Sequence, residues 1–210
     1  MKAVNNVTSL LSRHPIISDQ ITRPALNVVL RELETILKRD VPGDVVEFGC
    51  YIGTTSLFLR RLLSVHDPNQ SRQLYAYDSF SGLPDKTTED ASGAGEQFQV
   101  GELTVSKKQF LHEFQKANLQ SPNTFKGWFK DIAPDQLPDQ IAFAFLDGDF
   151  YESIRDSLLL VWPRLVAGGT ITIDDYSRAA LPGVERAVQE FVKVHKLTVR
   201  HEHQIAIITR

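Results

Sequence analysis

Six consecutive apolar residues, Ile141-Ala142-Phe143-Ala144-Phe145-Leu146, stop abruptly at Asp147-Gly148-Asp149. A run this short and this uninterrupted suits a strand buried on both faces. Val45-Val46-Glu47-Phe48, Gln73-Leu74-Tyr75-Ala76-Tyr77 and Gly169-Thr170-Ile171-Thr172-Ile173 have the same character, and Asn123-Thr124-Phe125-Lys126 is a weaker strand. Between them lie stretches that read as helices: 22–38, 54–63, 107–117, 152–166 and 184–194. In the first, Leu26, Val29, Leu30, Leu33, Ile36 and Leu37 recur at helical spacing, with Thr22 as N-cap and Pro24 in the first turn. Strands alternating with helices predict an α/β fold, a mostly parallel sheet with helices on both faces. Segments 197–200 and 205–209 add an antiparallel edge hairpin. The whole chain, 1–210, reads as a single domain with an N-terminal helical segment over 1–40. The polar, glycine-bearing stretch 84–106 reads as a lid loop.

Composition narrows the class. With 42% hydrophobic and 23% charged residues, 210 residues can bury a sizeable core. A net charge of −3 without a Lys/Arg run argues against a nucleic-acid partner. No apolar stretch approaches the roughly 20 residues of a membrane span. The start, MKAVNNVTSLLSRHP, lacks the apolar core and small-residue cleavage site of a secretory signal. The lone Cys50 excludes an intramolecular disulfide and any multi-cysteine metal site, and packing is the better account of it. These readings together predict a cytoplasmic protein acting on a small molecule, with neither membrane nor nucleic acid as partner.

The first strand runs into Glu47-x-Gly49-x-x-x-Gly53 and then a helix. Glycines here let the backbone turn sharply and approach a ligand closely. The dinucleotide fingerprint Gly-x-Gly-x-x-Gly is absent, which disfavours a nucleotide-dependent dehydrogenase. A carboxylate inside the turn repels phosphate but suits a cationic, amino-bearing ligand such as S-adenosylmethionine. Asp78 closes the second strand, where an acid can accept hydrogen bonds from both ribose hydroxyls. The competing account is a structural turn with Asp78 capping a helix.

Acids also close two central strands, as Asp147-Gly148-Asp149 and Asp174-Asp175. Ligands of open α/β sheets sit outside the carboxyl ends of the strands. Neighbouring strands lie about 4.8 Å apart, so Asp147 and Asp174 are expected in one crevice. Carboxylates crowded there repel one another unless a cation neutralises them, and their hard oxygens suit Mg²⁺. Any one of these aspartates could instead cap a helix. His112, His195, His201 and His203 lie in surface-like contexts and carry no chemistry in this reading.

PGDVVEFGCYIGTTS at 42–56, YDSFSGLP at 77–84, FKGWFKDIAP at 125–134, FLDGDFYES at 145–153 and TIDDY at 172–176 together resemble one family, the macrocin O-methyltransferase-like (TylF-type) enzymes. The resemblance covers roughly residues 40–180. It implies the Rossmann-like class I methyltransferase fold with seven strands, and a metal- and S-adenosylmethionine-dependent O-methyltransferase of natural-product biosynthesis. It also implies site residues. Glu47, Gly49, Tyr51, Gly53, Thr55 and Ser56 would form the cofactor turn, Asp78 and Ser79 would lie at the ribose, and Gly127 and Trp128 near the adenine. Asp147, which also borders the cofactor, would bind Mg²⁺ or another divalent cation with Asp174 and Asp175, and Asp149 would be the general base. With about 40 residues ahead of the glycine turn, a family-type N-terminal lid would be reduced. Within 85–105 only Phe98 and Gly101 match the family well.

The expected acceptor is a hydroxyl of a sugar or vicinal-diol natural product. A catechol-type enzyme with a flat aromatic acceptor is the alternative, since Phe80, Trp128, Phe129, Phe150, Tyr151 and Tyr176 lie near the motifs. A non-catalytic S-adenosylmethionine-binding module would not need the second acidic cluster. The apolar stripe of helix 22–38 raises a homo-oligomer as an expectation, because many members of the resembled family assemble.

Overall fold

A computed structural model describes residues 6–94 and 98–210. In it, strands β1 (Asp44–Phe48), β2 (Leu74–Asp78), β3 (Asn123–Lys126), β4 (Ile141–Leu146), β5 (Leu165–Ile173), β6 (Arg200–Glu202) and β7 (Ile205–Thr209) form one sheet in the order β3-β2-β1-β4-β5-β7-β6. β1 to β5 pair in parallel, and β7 joins antiparallel to β5 and β6. This is the predicted class, with the expected edge hairpin. Helices α1 (Asn6–Arg13), α2 (Arg23–Lys38) and α3 (Thr54–His66) cover one face. Helices α5 (Tyr151–Val161) and α6 (Pro182–His195) cover the other. α4 (Lys107–Lys116) packs Phe110 and Phe114 against Phe80 and Cys50.

Alternation within the central strands explains the two faces. Ala144 and Leu146 of β4 pack with α5 and α6, whereas Phe143 and Phe145 pack with α2 and α3. Each side of the strand is dry, so no polar residue interrupts the run.

The differences from expectation have local causes. α1 falls within the expected N-terminal helical segment, but its own bounds leave no clear periodic signal, because it has only eight residues, with Val7, Leu10 and Leu11 buried. The helix expected over 152–166 ends at Val161, because Pro163 cannot continue the ladder and a 3₁₀ turn leads straight into β5. The hairpin strand expected at 197–200 begins only at Arg200. Thr22 does cap α2, accepting from the Ala25 N–H at 3.2 Å. Leu26, Val29, Leu30, Leu33 and Ile36 are buried within the chain, so the stripe of α2 no longer argues for self-association. The same helix buries Glu32, paired with Arg200, and Glu34, paired with Lys38 and His66.

What positions the site is register. Tyr77, Phe48, Leu146 and Ile173 are successive partners across β2, β1, β4 and β5. Asp78, Gly49, Asp147 and Asp174 therefore leave the sheet side by side.

Candidate active site

Backbone hydrogen bonds continue past the strand ends. Gly49 N–H donates to Tyr77 O at 2.9 Å, Asp147 N–H to Phe48 O at 2.8 Å, Asp174 N–H to Leu146 O at 2.9 Å and Gly127 N–H to Asp78 O at 2.9 Å. The ligand-facing turns are thereby tied to one rigid edge. Above it opens a cleft lined among others by Gly49, Tyr51, Asp78, Ser79, Trp128, Asp147, Asp149 and Asp175.

Of the residues expected around a cofactor, Gly49, Tyr51, Asp78, Ser79, Trp128 and Asp147 face this cleft. Glu47, Gly53, Thr55 and Ser56 lie behind the turn, and Gly127 anchors the loop that carries Trp128. Asp78 holds the glycine turn: its Oδ2 accepts from the N–H groups of Cys50 at 2.9 Å and Tyr51 at 3.0 Å, and its Oδ1 accepts from Phe80 N–H at 2.7 Å. A carboxylate offers about four acceptor positions, so roughly one remains for a ligand hydroxyl. The Ser79 hydroxyl donates to Gly82 O at 3.0 Å, which shapes the next turn. Cys50 is buried and burial pushes its thiol up, as packing requires. The four surface-like histidines are exposed and stand outside the cleft lining.

Glu47 is fully buried. Ser56 donates to its Oε2, while its Oε1 has no partner. Burial, eased by Ser56 and reinforced by the charge of Asp78, pushes its carboxyl from 4.5 up to about 8. The folded chain thus holds a proton there that the unfolded chain releases, and stability falls as pH rises from 4.5 to about 8. Below that window the contribution is complete, and above it nothing more is lost. Urea titrations of the ligand-free protein at about pH 5 and about pH 8.5 check this, with Glu47→Gln expected to flatten part of the slope. An identical slope in that variant would show Glu47 ionised in the fold.

Asp147, Asp149 and Asp175 each place a carboxylate oxygen within 4.8 Å of the others. Asp149 and Asp175 both have positive φ, 59° and 56°, a region aspartate tolerates and functional sites often use. Asp174, also expected as a ligand, is not a member of this trio; its Oδ1 accepts from Asp175 N–H at 2.8 Å. Withdrawal from water, then repulsion by Asp174, Asp149 and Asp175, holds Asp147 well above the usual carboxylate range. Asp149 is raised in the same way by burial and by Asp175 and Asp174. Burial and Asp175 push Asp174 up to about 8. Burial also raises Asp175, against the pull of Arg178. Such crowding of hard oxygens fits a divalent cation of the Mg²⁺ type.

Sequence reasoning missed Arg178, whose Nη1 donates to Asp175 Oδ1 at 2.7 Å. It also missed Asp90, a buried acid that accepts from Tyr151 N–H at 2.7 Å and from Thr87. The segment expected to be a lid is therefore pinned at Asp90. Leu83, Pro84 and Leu103 from it line the cleft, and residues 95–97 lie outside the described residues. Of the six aromatic residues named above, Trp128 and Phe129 line the cleft, whereas Phe80, Phe150 and Tyr176 are buried in the core. Among the described residues, no helix is long and apolar enough to cross a membrane.

The profile of the macrocin-O-methyltransferase (TylF) family matches residues 17–206. The chain belongs to that family. It is similar to the 8-demethyl-8-(2,3-dimethoxy-alpha-L-rhamnosyl)-tetracenomycin-C 4'-O-methyltransferase of Streptomyces olivaceus, at 36% identity over 69% of this chain and 57% of that one. Similarity to the demethyldecarbamoylnovobiocin O-methyltransferase of Streptomyces niveus is 32% over 76% of this chain and 62% of that one. The chain thus spans about three fifths of each of these relatives. Among solved structures, the O-methyltransferase NovP superposes with a TM-score of 0.76 at 27% identity, over 90% of this chain and 81% of that one. The calicheamicin methyltransferase CalS11, at 22% identity with a TM-score of 0.73 over 97% and 90%, shares the fold.

Proposed function

We propose that this member of the TylF family is an S-adenosylmethionine-dependent O-methyltransferase acting on a sugar or vicinal-diol hydroxyl of a natural product, with Mg²⁺ or a similar cation. The observation that carries the proposal is one cleft holding both the Asp78-clamped glycine turn and three carboxylates within 4.8 Å. S-adenosylmethionine supplies an electrophilic methyl group, and a cation held by Asp147, Asp174 and Asp175 would acidify an acceptor hydroxyl and fix its oxygens. The chain's own part is positioning and proton transfer. Asp78 keeps one acceptor position toward the ribose, and Glu47 steadies the turn from behind through Ser56. Asp149 takes the hydroxyl proton on a carboxylate oxygen. Burial and the neighbouring charges of Asp175 and Asp174 raise its basicity above that of an ordinary carboxylate. Leu83, Pro84, Leu103 and Phe129 wall the cleft against water.

The relative named for a rhamnosyl-bearing tetracenomycin supports a glycosidic acceptor. Trp128 and Phe129 in the lining keep a catechol-type acceptor as the second reading. Transfer of labelled methyl from S-adenosylmethionine to a panel of glycosides and catechols, with and without chelator, decides. Labelled glycoside that disappears on chelation is expected. Catechol turnover alone would favour the second reading, and full activity under chelation would remove the cation.

A further inference from the structure

Asp147, Asp149, Asp174 and Asp175 place four carboxyl groups at the ends of β4 and β5. Among the described residues, Arg178 supplies the ion pair to this cluster, through Asp175 Oδ1. The same guanidinium lies over the Phe98 ring, 4.9 Å from its centroid. Phe98 belongs to the stretch that crosses from Asp90 to the turn at Gly82, where Leu83 N–H donates to Glu102 O at 2.9 Å and Gly101 N–H to Leu83 O at 3.0 Å. The segment is fastened at both ends. At one, Asp90 sits so tightly against Gly183 that a Cβ there would overlap it. At the other, Leu83, Gly101 and Glu102 form a small backbone clasp. Between the fastenings, Arg178 and the Ser92 hydroxyl, which donates to Ala179 O at 2.6 Å, hold the loop to the strand end that carries Asp174 and Asp175.

We propose that Arg178 is a positioning residue that links the acid cluster to the loop above it: without a cation it neutralises Asp175 and clasps Phe98, and cation binding releases the clasp. The inference rests on the cation reading given above. Arg178 is always charged, so it competes with a cation for Asp175. A divalent ion brings more charge to the cluster than one guanidinium, and a carboxylate oxygen given to that ion is withdrawn from the Arg178 fork. The planar group then loses the partner that orients it over Phe98. By reciprocity, whatever loosens the loop must tighten the cation. A loop freed when the cation arrives would admit the acceptor in the order the chemistry needs.

The test uses calorimetric titration of Mg²⁺ and amide hydrogen exchange over 98–103 in the full chain, with thermal melts to confirm folding. Arg178 is one-third exposed, so its substitution leaves the core intact. Arg178→Gln is expected to bind Mg²⁺ about fivefold tighter or more and to exchange faster at 98–103 without any cation. Arg178→Lys keeps the charge but loses the fork and the stacking, so its loop exchanges as in the Gln variant while its cation affinity rises less than in Arg178→Gln. Phe98→Leu should tighten Mg²⁺, and Mg²⁺ should speed exchange at 98–103 in the wild type. Unchanged affinity in Arg178→Gln, or a loop slowed by Mg²⁺, overturns the link. Exchange is read without cation as well: if the wild type binds no Mg²⁺, the cation reading falls, and if Arg178→Gln leaves cation-free exchange unaltered, the clasp falls by itself.

Discussion

Asp149→Asn is expected to lower turnover by roughly 10²–10⁴-fold, the usual loss for a general base, while Mg²⁺ affinity stays within about twofold of wild type. Asp174→Asn should do the opposite, weakening the cation and regaining activity when excess Mg²⁺ is supplied. The geometry makes this contrast informative. Asp149 belongs to the trio within 4.8 Å, and Asp174 does not. A base serving a cation-held hydroxyl must itself stand beside the cation site, so nearness alone does not make Asp149 a ligand. Its backbone has a positive φ, and its carboxylate lies beside those of Asp147 and Asp175. If Asp149→Asn loses the cation and Asp174→Asn does not, the roles are exchanged and the base must be sought elsewhere. Calorimetry and initial rates on the two variants are sufficient to tell.

What could be read from the amino acids alone was whatever leaves a local trace. Buried parallel strands are continuous apolar runs, so β1, β2, β4 and β5 announce themselves, and their acidic ends mark the cleft. Pairing register turns those separate ends into a row, and no single segment carries it. The partners of Asp78 were hidden for the same reason: its hydrogen bonds reach back to Cys50 and Tyr51, on a different strand end. Arg178 and Asp90 are ordinary surface residue types in polar loops, and only the fold brings Arg178 over Phe98 and Asp90 to the Tyr151 N–H. Glu47 shows a mixed outcome. Its place in the turn is legible, but its unpartnered Oε1 and its proton depend on burial between the two neighbouring strands, β2 and β4.

Gly49→Ala is expected to cost about 4 kcal/mol or more, in the range that points to a specific structural fault. Gly49 has φ +82°, and a Cβ there would overlap the carbonyl oxygen of Asp147, which is backbone and cannot swing away. The residue is therefore where the cofactor turn after β1 presses on the acid-bearing end of β4. Gly101 is the control: its φ is +79°, yet nothing lies within 4 Å of its Cβ position. Gly101→Ala should cost only the left-handed backbone penalty of about 1–2 kcal/mol. Urea unfolding of both variants measures the difference, and Gly49→Ala within about 1 kcal/mol of Gly101→Ala would mean the two strand ends can part cheaply. Any Gly49→Ala protein that still folds should bind both S-adenosylmethionine and Mg²⁺ more weakly, because relieving the overlap moves Asp147 away from Asp149 and Asp175 at the same time as it lifts the turn from Asp78.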